Sequence, residues 1–385
     1  MAAVRARHIV VVAVALLAMA GCSGSRSPAP SAGAGGAATT AGLDASSRLH
    51  LAAAWDWSPP PGFSVGIPAS DSSEIALTTE HQLTVLLDAK GAVRWRVERP
   101  VRDVAPALTA DSVLVPTEKG LLALDRATGR ERWTATLDDR TNTPVVVGGV
   151  GGRAVVTTWK GLLAGIDLAD GSVAWRTPLG GASLGPAAVS GSTAVATFDT
   201  GHVAGAVAVD AATGRQRWAV ALPPDGTSAP AIVAGPDGRG ATVVVVAADV
   251  AAHGLALDNG AERWRTPIEG AGSPEVPPLP QADGTVVASH RQGGMALLDA
   301  ADGRVRWEAR SDSAAIRGGP AGPGPNGWFA LPLFDGRLLL GGADRRADVR
   351  EPPSLANGVA MGPGGLLLVA TAQGKDNRLS AVKGW

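Results

Sequence analysis

Four of the chain's six histidines recur at similar places and are the residues whose type could do chemistry: His81 in "TTEHQ", His202 in "DTGHV", His253 in "AAHG" and His290 in "SHRQG". Imidazole can ligate zinc or move protons near neutral pH. A zinc site would need three or four ligands within about 2.1 Å of one ion. These four lie dozens of residues apart and share no ligand spacing such as H-E-x-x-H, so metal binding is not expected. The sulfur chemistry is equally thin, because Cys22 is the only cysteine. Asp138-Asp139 reads as a solvated turn. "DAADG" at 299–303 lacks the further oxygen ligands of a calcium loop. No P-loop is present. The formal net charge of −1 does not supply the basic surface that nucleic-acid binding needs.

The elements that position these residues repeat. Six tryptophans, Trp95, Trp133, Trp175, Trp218, Trp264 and Trp307, follow one another at 38, 42, 43, 46 and 43 residues. A glycine lies four residues before each: Gly91, Gly129, Gly171, Gly214, Gly260 and Gly303. In four copies an aspartate lies four residues before that glycine, Asp125, Asp167, Asp210 and Asp299, as in "ALDRATGRERW" and "AVDAATGRQRW"; the other two have shorter turns, with Asp88 three before Gly91 and Asp258 two before Gly260. Short apolar runs such as "VVVVA" and "LLALD", bounded by Gly, Pro or Asp, read as strands. A period near 40 residues in an all-β pattern means propeller blades. Within each blade, Asp can bond turn amides, Gly can take a positive φ, and Trp presents a large flat face to the next blade.

The six copies occupy residues 63 to about 310. Residues 315–351 read as a seventh blade without the tryptophan. Residues 355–383 supply three strands of an eighth, and "RLHLAAAWDWS" (48–58) supplies its fourth, with Trp55 or Trp57 in the docking place. The expected fold is an eight-bladed propeller closed by an N-terminal strand, with seven blades as the alternative. By this reading the four histidines sit in or beside hairpins joining the second and third strands of their blades. The matching hairpins elsewhere carry Lys119 and Trp159-Lys160. Together with Arg291 these groups gather on one rim, a candidate recognition face, since aromatic and cationic residues anchor interfaces.

Before the propeller, "MAAVRARHIVVVAVALLAMAGC" has a basic start and a short apolar run that suits a signal peptide. "Met19-Ala20-Gly21-Cys22" resembles the bacterial lipobox, which implies cleavage before Cys22 and lipid on its sulfur. The expected organisation is signal peptide 1–21, a flexible lipid-anchored linker 22–47 rich in Gly, Ser and Pro, and the propeller 48–385. The location would be extracytoplasmic, on the cell membrane or the periplasmic side of an outer membrane.

The pattern A-x-D-x-x-T-G-x-x-x-W resembles the tryptophan-docking repeat of the PQQ-like propeller family, which includes quinoprotein dehydrogenases and BamB-like assembly lipoproteins. Residues 123–133 and 208–218 match it fully. The dehydrogenases of that family use a disulfide of adjacent cysteines over the quinone, and a calcium ion held by Glu, Asn and Asp. Cys22 alone cannot make that disulfide, so no cofactor is expected and PQQ in particular is not. The resemblance implies a non-catalytic scaffold that binds another envelope protein or peptide. The alternative is a small-ligand protein, taking carbohydrate or quinone, or a degenerate quinoprotein enzyme.

Overall fold

The computed structural model describes residues 41–42 and 51–385, apart from 80–81, 142, 150–151, 184, 236–239, 269–275, 291, 314, 316–318, 325–326, 343–346, 351–355, 357, 374–375 and 384. Its described elements are strands, with one short 3₁₀ turn at Pro363–Gly365. They form eight antiparallel sheets, the blades. Blade 1 comprises Ala69–Ser70, Glu74–Thr79, Leu83–Asp88 and Val93–Glu98. Blade 2 comprises Ala107–Leu108, Ser112–Thr117, Gly120–Asp125 and Glu131–Thr136. Blade 3 runs Val146–Gly148, Arg153–Thr157, Leu162–Asp167, Val173–Pro178, and blade 4 runs Ala188–Ser190, Thr193–Asp199, Ala204–Asp210, Gln216–Leu222. Blade 5 is Ala231–Val233, Thr242–Ala247, Ala251–Ala256, Glu262–Pro267, and blade 6 is Leu279–Pro280, Thr285–Ser289, Gly294–Asp299, Val305–Arg310. Blade 7 has Phe329–Pro332, Leu338–Gly341 and Ala347–Arg350, with a bridge from Ala321 to Ala330 in place of a regular innermost strand. Blade 8 has Gly358–Met361, Leu367–Gln373 and Asp376–Lys383.

Ala52–Trp57 completes blade 8 as its outermost strand, antiparallel to Asp376–Lys383. The ring is therefore closed by the N-terminal strand, and eight blades replace the seven-blade alternative. The two described residues of the expected tether, Ala41–Gly42, run parallel to the outer strand of blade 6.

Burial explains the sequence pattern. Second and third strands are covered on both faces by neighbouring blades, so they read as continuous apolar runs; Thr242–Ala247 and Ala251–Ala256 are buried throughout. Outer strands alternate, with Trp as the buried member of "ERWRTP" and "VRWRVE". The core is accordingly divided into eight apolar clusters, one between each pair of adjacent blades. The cluster that joins Ile75, Leu77 and Leu87 of blade 1 to Leu368 and Leu379 of blade 8 closes the circle.

Six indoles dock alike. Trp95 Nε1 donates to the Arg126 carbonyl at 2.8 Å, Trp133 to Leu168 at 3.0 Å, Trp175 to Ala211 at 3.0 Å, Trp218 to Leu257 at 2.9 Å and Trp264 to Ala300 at 3.0 Å, always in the next blade. Trp55, not Trp57, takes this role for blade 8, donating to Ala89 at 3.2 Å. Each ring lies on the turn glycine of the next blade. A Cβ at Gly214, where φ is +70°, would stand 2.7 Å from Trp175 ring carbons. The aspartates act as expected: Asp125 Oδ1 accepts from the Thr128 amide at 2.9 Å, and Asp210 Oδ1 accepts from the Thr213 amide at 3.0 Å.

A bulge sits one residue before each of these tryptophans. In blade 2, Glu131 pairs with Leu124 and Trp133 with Ala123, leaving Arg132 as the extra residue. The same shift leaves out Arg94, Arg217, Arg263 and Arg306. Bulges re-aim side chains: here they turn the indole towards the next blade and the preceding arginine outwards. Arg132 then pairs with Asp111 at 2.6 Å, and Arg217 with Asp210 at 2.7 Å.

Candidate recognition face

One face of the ring carries the hairpins between second and third strands together with the connectors between blades. A repeated backbone bond holds them in contact. The Leu137 amide donates to Lys119 at 2.7 Å, Leu179 to Gly161 at 2.8 Å, Ile268 to Val250 at 2.9 Å and Ser311 to Gly293 at 2.9 Å. The expected gathering of these hairpins on one rim is therefore present, but its membership differs.

Lys119, Trp159, Lys160 and His202 stand exposed on hairpin tips. His81 and Arg291 lie outside the described residues. His253 and His290 are corrections. His253 is 3% exposed and belongs to the third strand of blade 5, not to a loop. Its Nδ1 lies 2.8 Å from Glu262 Oε2 and its Nε2 lies 3.1 Å from Asp249 Oδ1. His290 is fully buried at the start of its hairpin, where its Nδ1 accepts from the Gln292 amide at 3.3 Å. Neither ring can meet a partner from solution.

Blades 3 and 4 concentrate what remains. Trp159 is 42% exposed, a large fraction for an indole. The Arg140 guanidinium lies 4.4 Å from its ring centroid, a cation–π contact. Asp139 fixes the arrangement by accepting from the Lys160 amide at 2.8 Å. Partial burial works to raise the Asp139 carboxyl, but hydrogen bonds from Thr158, Lys160 and Arg140 outweigh it and hold the group below its ordinary range. Asp138-Asp139 is thus more than a solvated turn. Asp138 takes a positive φ of 58°, and Asp139 organises the neighbouring hairpin. On blade 4, Val203 is 55% exposed beside His202, and on blade 7 Phe334 of the same face is 53% exposed. The face offers a preordered indole flanked by cations, and apolar tips around it. Such a surface can bind another macromolecule.

The central channel is lined by the innermost strands. Their side chains are apolar except for Ser70 and Ser190, and the Ser70 hydroxyl donates to the Met361 carbonyl. Among the described residues no group of three or more His, Cys, Asp or Glu converges to hold a metal. The donor set for calcium and PQQ does not fit this channel: its walls present Leu108, Val147, Val189 and Ile232, and the chain has one cysteine.

The sequence profile that matches residues 42–183 and 161–321 is that of outer membrane protein assembly factor BamB. The curated factor of that name from Yersinia pestis is 28% identical over 232 residues, which is 53% of this chain and 55% of the relative. The match thus spans about half the length of that relative. Among solved structures, BamB from Moraxella catarrhalis superposes with a TM-score of 0.67 at 15% identity, over 87% of this chain and all of the other. A europium-containing methanol dehydrogenase superposes with a TM-score of 0.66 at 14% identity, over 83% and 84% of the two chains. At such identities these structures show the propeller fold alone. The profile match covers well over half of the sequence, and the chain belongs to the PQQ-repeat propeller family of outer membrane protein assembly factor BamB.

Proposed function

We propose that this protein is a non-catalytic scaffold, tethered to a membrane by lipid on Cys22, that presents its hairpin face to another envelope protein or peptide during envelope protein assembly. The observation that carries this reading is the Trp159–Arg140 pair. An indole left 42% exposed yet clamped by a guanidinium and by the Asp139 turn is a rigid anchor on the surface. Such anchors lose little conformational entropy on binding, and tryptophan and arginine dominate interface hot spots. The relative's name, an outer membrane assembly factor, supports the class of partner. Lipidation would place the propeller outside the cytoplasm. Two acyl chains, at roughly 0.8 kcal/mol per buried CH₂, anchor stably.

Photocrosslinking in intact membranes tests the partner reading. A crosslinker at Lys160 or Val203 should capture one defined envelope protein, and Trp159→Ala should reduce the yield at least tenfold. Capture from Ala127, on a docking turn of the opposite face, with none from Lys160, would refute it. Cys22→Ser should move the protein from the membrane fraction to the soluble one.

A further inference from the structure

Each blade presents the edge of its outer strand to the outside of the ring, and such an edge invites pairing with another strand. Six of the eight outer strands carry a proline at or just after their end, and proline cannot donate to a ladder. Pro178 and Pro267 end the outer strands of blades 3 and 5. Pro100, Pro223, Pro352 and Pro59 follow those of blades 1, 4, 7 and 8 by one or two residues. Blade 2 has no proline there, but the Arg176 guanidinium of blade 3 donates to the carbonyl of its last strand residue, Thr136, at 3.1 Å. Among the described residues, blade 6 has neither device. Its outer strand, Val305–Arg310, runs on into "SDSAAIRGG". On this edge lies a fifth strand, Ala41–Gly42, parallel to it, with Ala41 opposite Ala309 and Gly42 opposite Arg310.

The register shows why this edge can take a strand. Pro178 stands opposite Leu162 and Pro267 opposite Ala251, and Arg310 holds the same place opposite Gly294. Proline fits there because the blade's own ladder does not use that amide. The next amide is the inward one: Ser311 donates to Gly293 at 2.9 Å, as Leu179 does to Gly161 at 2.8 Å. The Arg310 N–H therefore points out of the sheet, where blades 3 and 5 have no donor. The tether sequence suits the other half of the pair. "SAGAGGAATTAGLDASS" (31–47) holds no proline, and Thr39-Thr40 has the β-branched side chains that favour strands.

We propose that the outer edge of blade 6 is a docking site for an extended strand of this chain's own tether, entered in parallel by the segment around Ala41–Gly42. The tether does for blade 6 what proline does for six blades and Arg176 for blade 2: it closes the edge. The propeller thus takes hold of the chain at Ala41 and not first at Leu51. This docking depends neither on lipid at Cys22 nor on the hairpin face, so its failure would leave the proposed function intact.

The test uses the full chain solubilised in detergent. Neighbouring strands lie about 4.7–4.9 Å apart, within the roughly 4.4–6.8 Å that a disulfide spans between Cα atoms. Gly42→Cys/Arg310→Cys should form an intramolecular disulfide in most molecules, identified by mass spectrometry of the linked peptides. Gly42→Cys/Thr136→Cys, at the same place on blade 2, should give at least tenfold less. Arg310→Pro copies blades 3 and 5, so it should unfold in urea as the wild type does. It should nevertheless speed hydrogen exchange across residues 41–43 about fivefold, whereas Arg310→Ala, which keeps the N–H, should not. The proposal fails if the two cysteine pairs link equally, or if the 42–310 link forms only between copies. It also fails if Arg310→Ala speeds exchange as much as Arg310→Pro.

Discussion

Replacing tryptophan by phenylalanine should be costly at every docked position and nearly free at Trp307. In Trp175→Phe the ring still reaches Gly214, but the 3.0 Å bond to the Ala211 carbonyl is lost. The orphaned carbonyl costs about 1–3 kcal/mol. The missing part of the indole leaves a void of roughly 40 Å³, about 1 kcal/mol at ~24 cal/mol per Å³. The sum is about 2–4 kcal/mol. In Trp307→Phe the void is similar, but the substitution removes an N–H that has no partner among the described residues and keeps a ring stacked on Phe329. Gain and loss offset, leaving a change near zero. An unfolding entropy of about 2.1 cal/mol/K per residue over roughly 330 residues converts ~0.7 kcal/mol to one degree. Calorimetry should therefore show Tm falling by about 3–6 °C for Trp175→Phe and by less than about 1 °C for Trp307→Phe. Equal losses at the two positions would refute the claim that cohesion rests on each indole bonding to the next blade.

The remaining predictions use the same turns and the hairpin face. Gly214→Ala should lose about 2–4 kcal/mol by urea unfolding, from left-handed strain and overpacking against Trp175, whereas Gly152→Ala, with φ of +61° and nothing within 4 Å, should lose only the strain. Asp210 is held down from the ordinary 3.8 to about 2, by Arg217 first and then by the Thr213 hydroxyl and amide. A depressed carboxyl stabilises the fold fully above its unfolded value, so this contribution should disappear as pH falls from about 4 to about 2. Asp210→Asn should reduce the slope of the urea midpoint across that window without abolishing it, because Asp88, Asp125 and Asp299 shift in the same direction. His253→Leu should cost about 1–3 kcal/mol by leaving Glu262 and Asp249 without their shared partner, yet leave crosslinking from Lys160 unchanged, because the imidazole never faces solvent.

The blades were legible because a repeat states the same physical problem many times. One Trp four residues after a left-handed glycine is weak evidence, but six are a ring. The Arg that precedes five of the six repeat tryptophans was visible too. Its cause, a bulge that swings the indole inwards and the arginine outwards, appears only in the pairing register. His253 was misplaced because nothing in "ADVAAHG" marks a tight turn. Val250 takes a positive φ of 58°, an uncommon state for a β-branched residue, so the third strand starts at Ala251 and draws the histidine into the core. Arg140 and Asp139 lie in a connector that does not repeat, so no periodicity singled them out, and only the fold brings them to Trp159.

Trp307 carries the sharper lesson. Its own stretch, "DAADGRVRW", is as good a docking segment as those that dock. Whether an indole docks is decided about 40 residues later, by the turn of the following blade. Blade 7 has no D-x-x-T-G after Leu338–Gly341, and that absence, read together with Trp307, was the available signal. A docking repeat is a property of two consecutive blades. Where the second half is missing, the indole N–H finds no acceptor among the described residues, and the ring stacks on Phe329 instead.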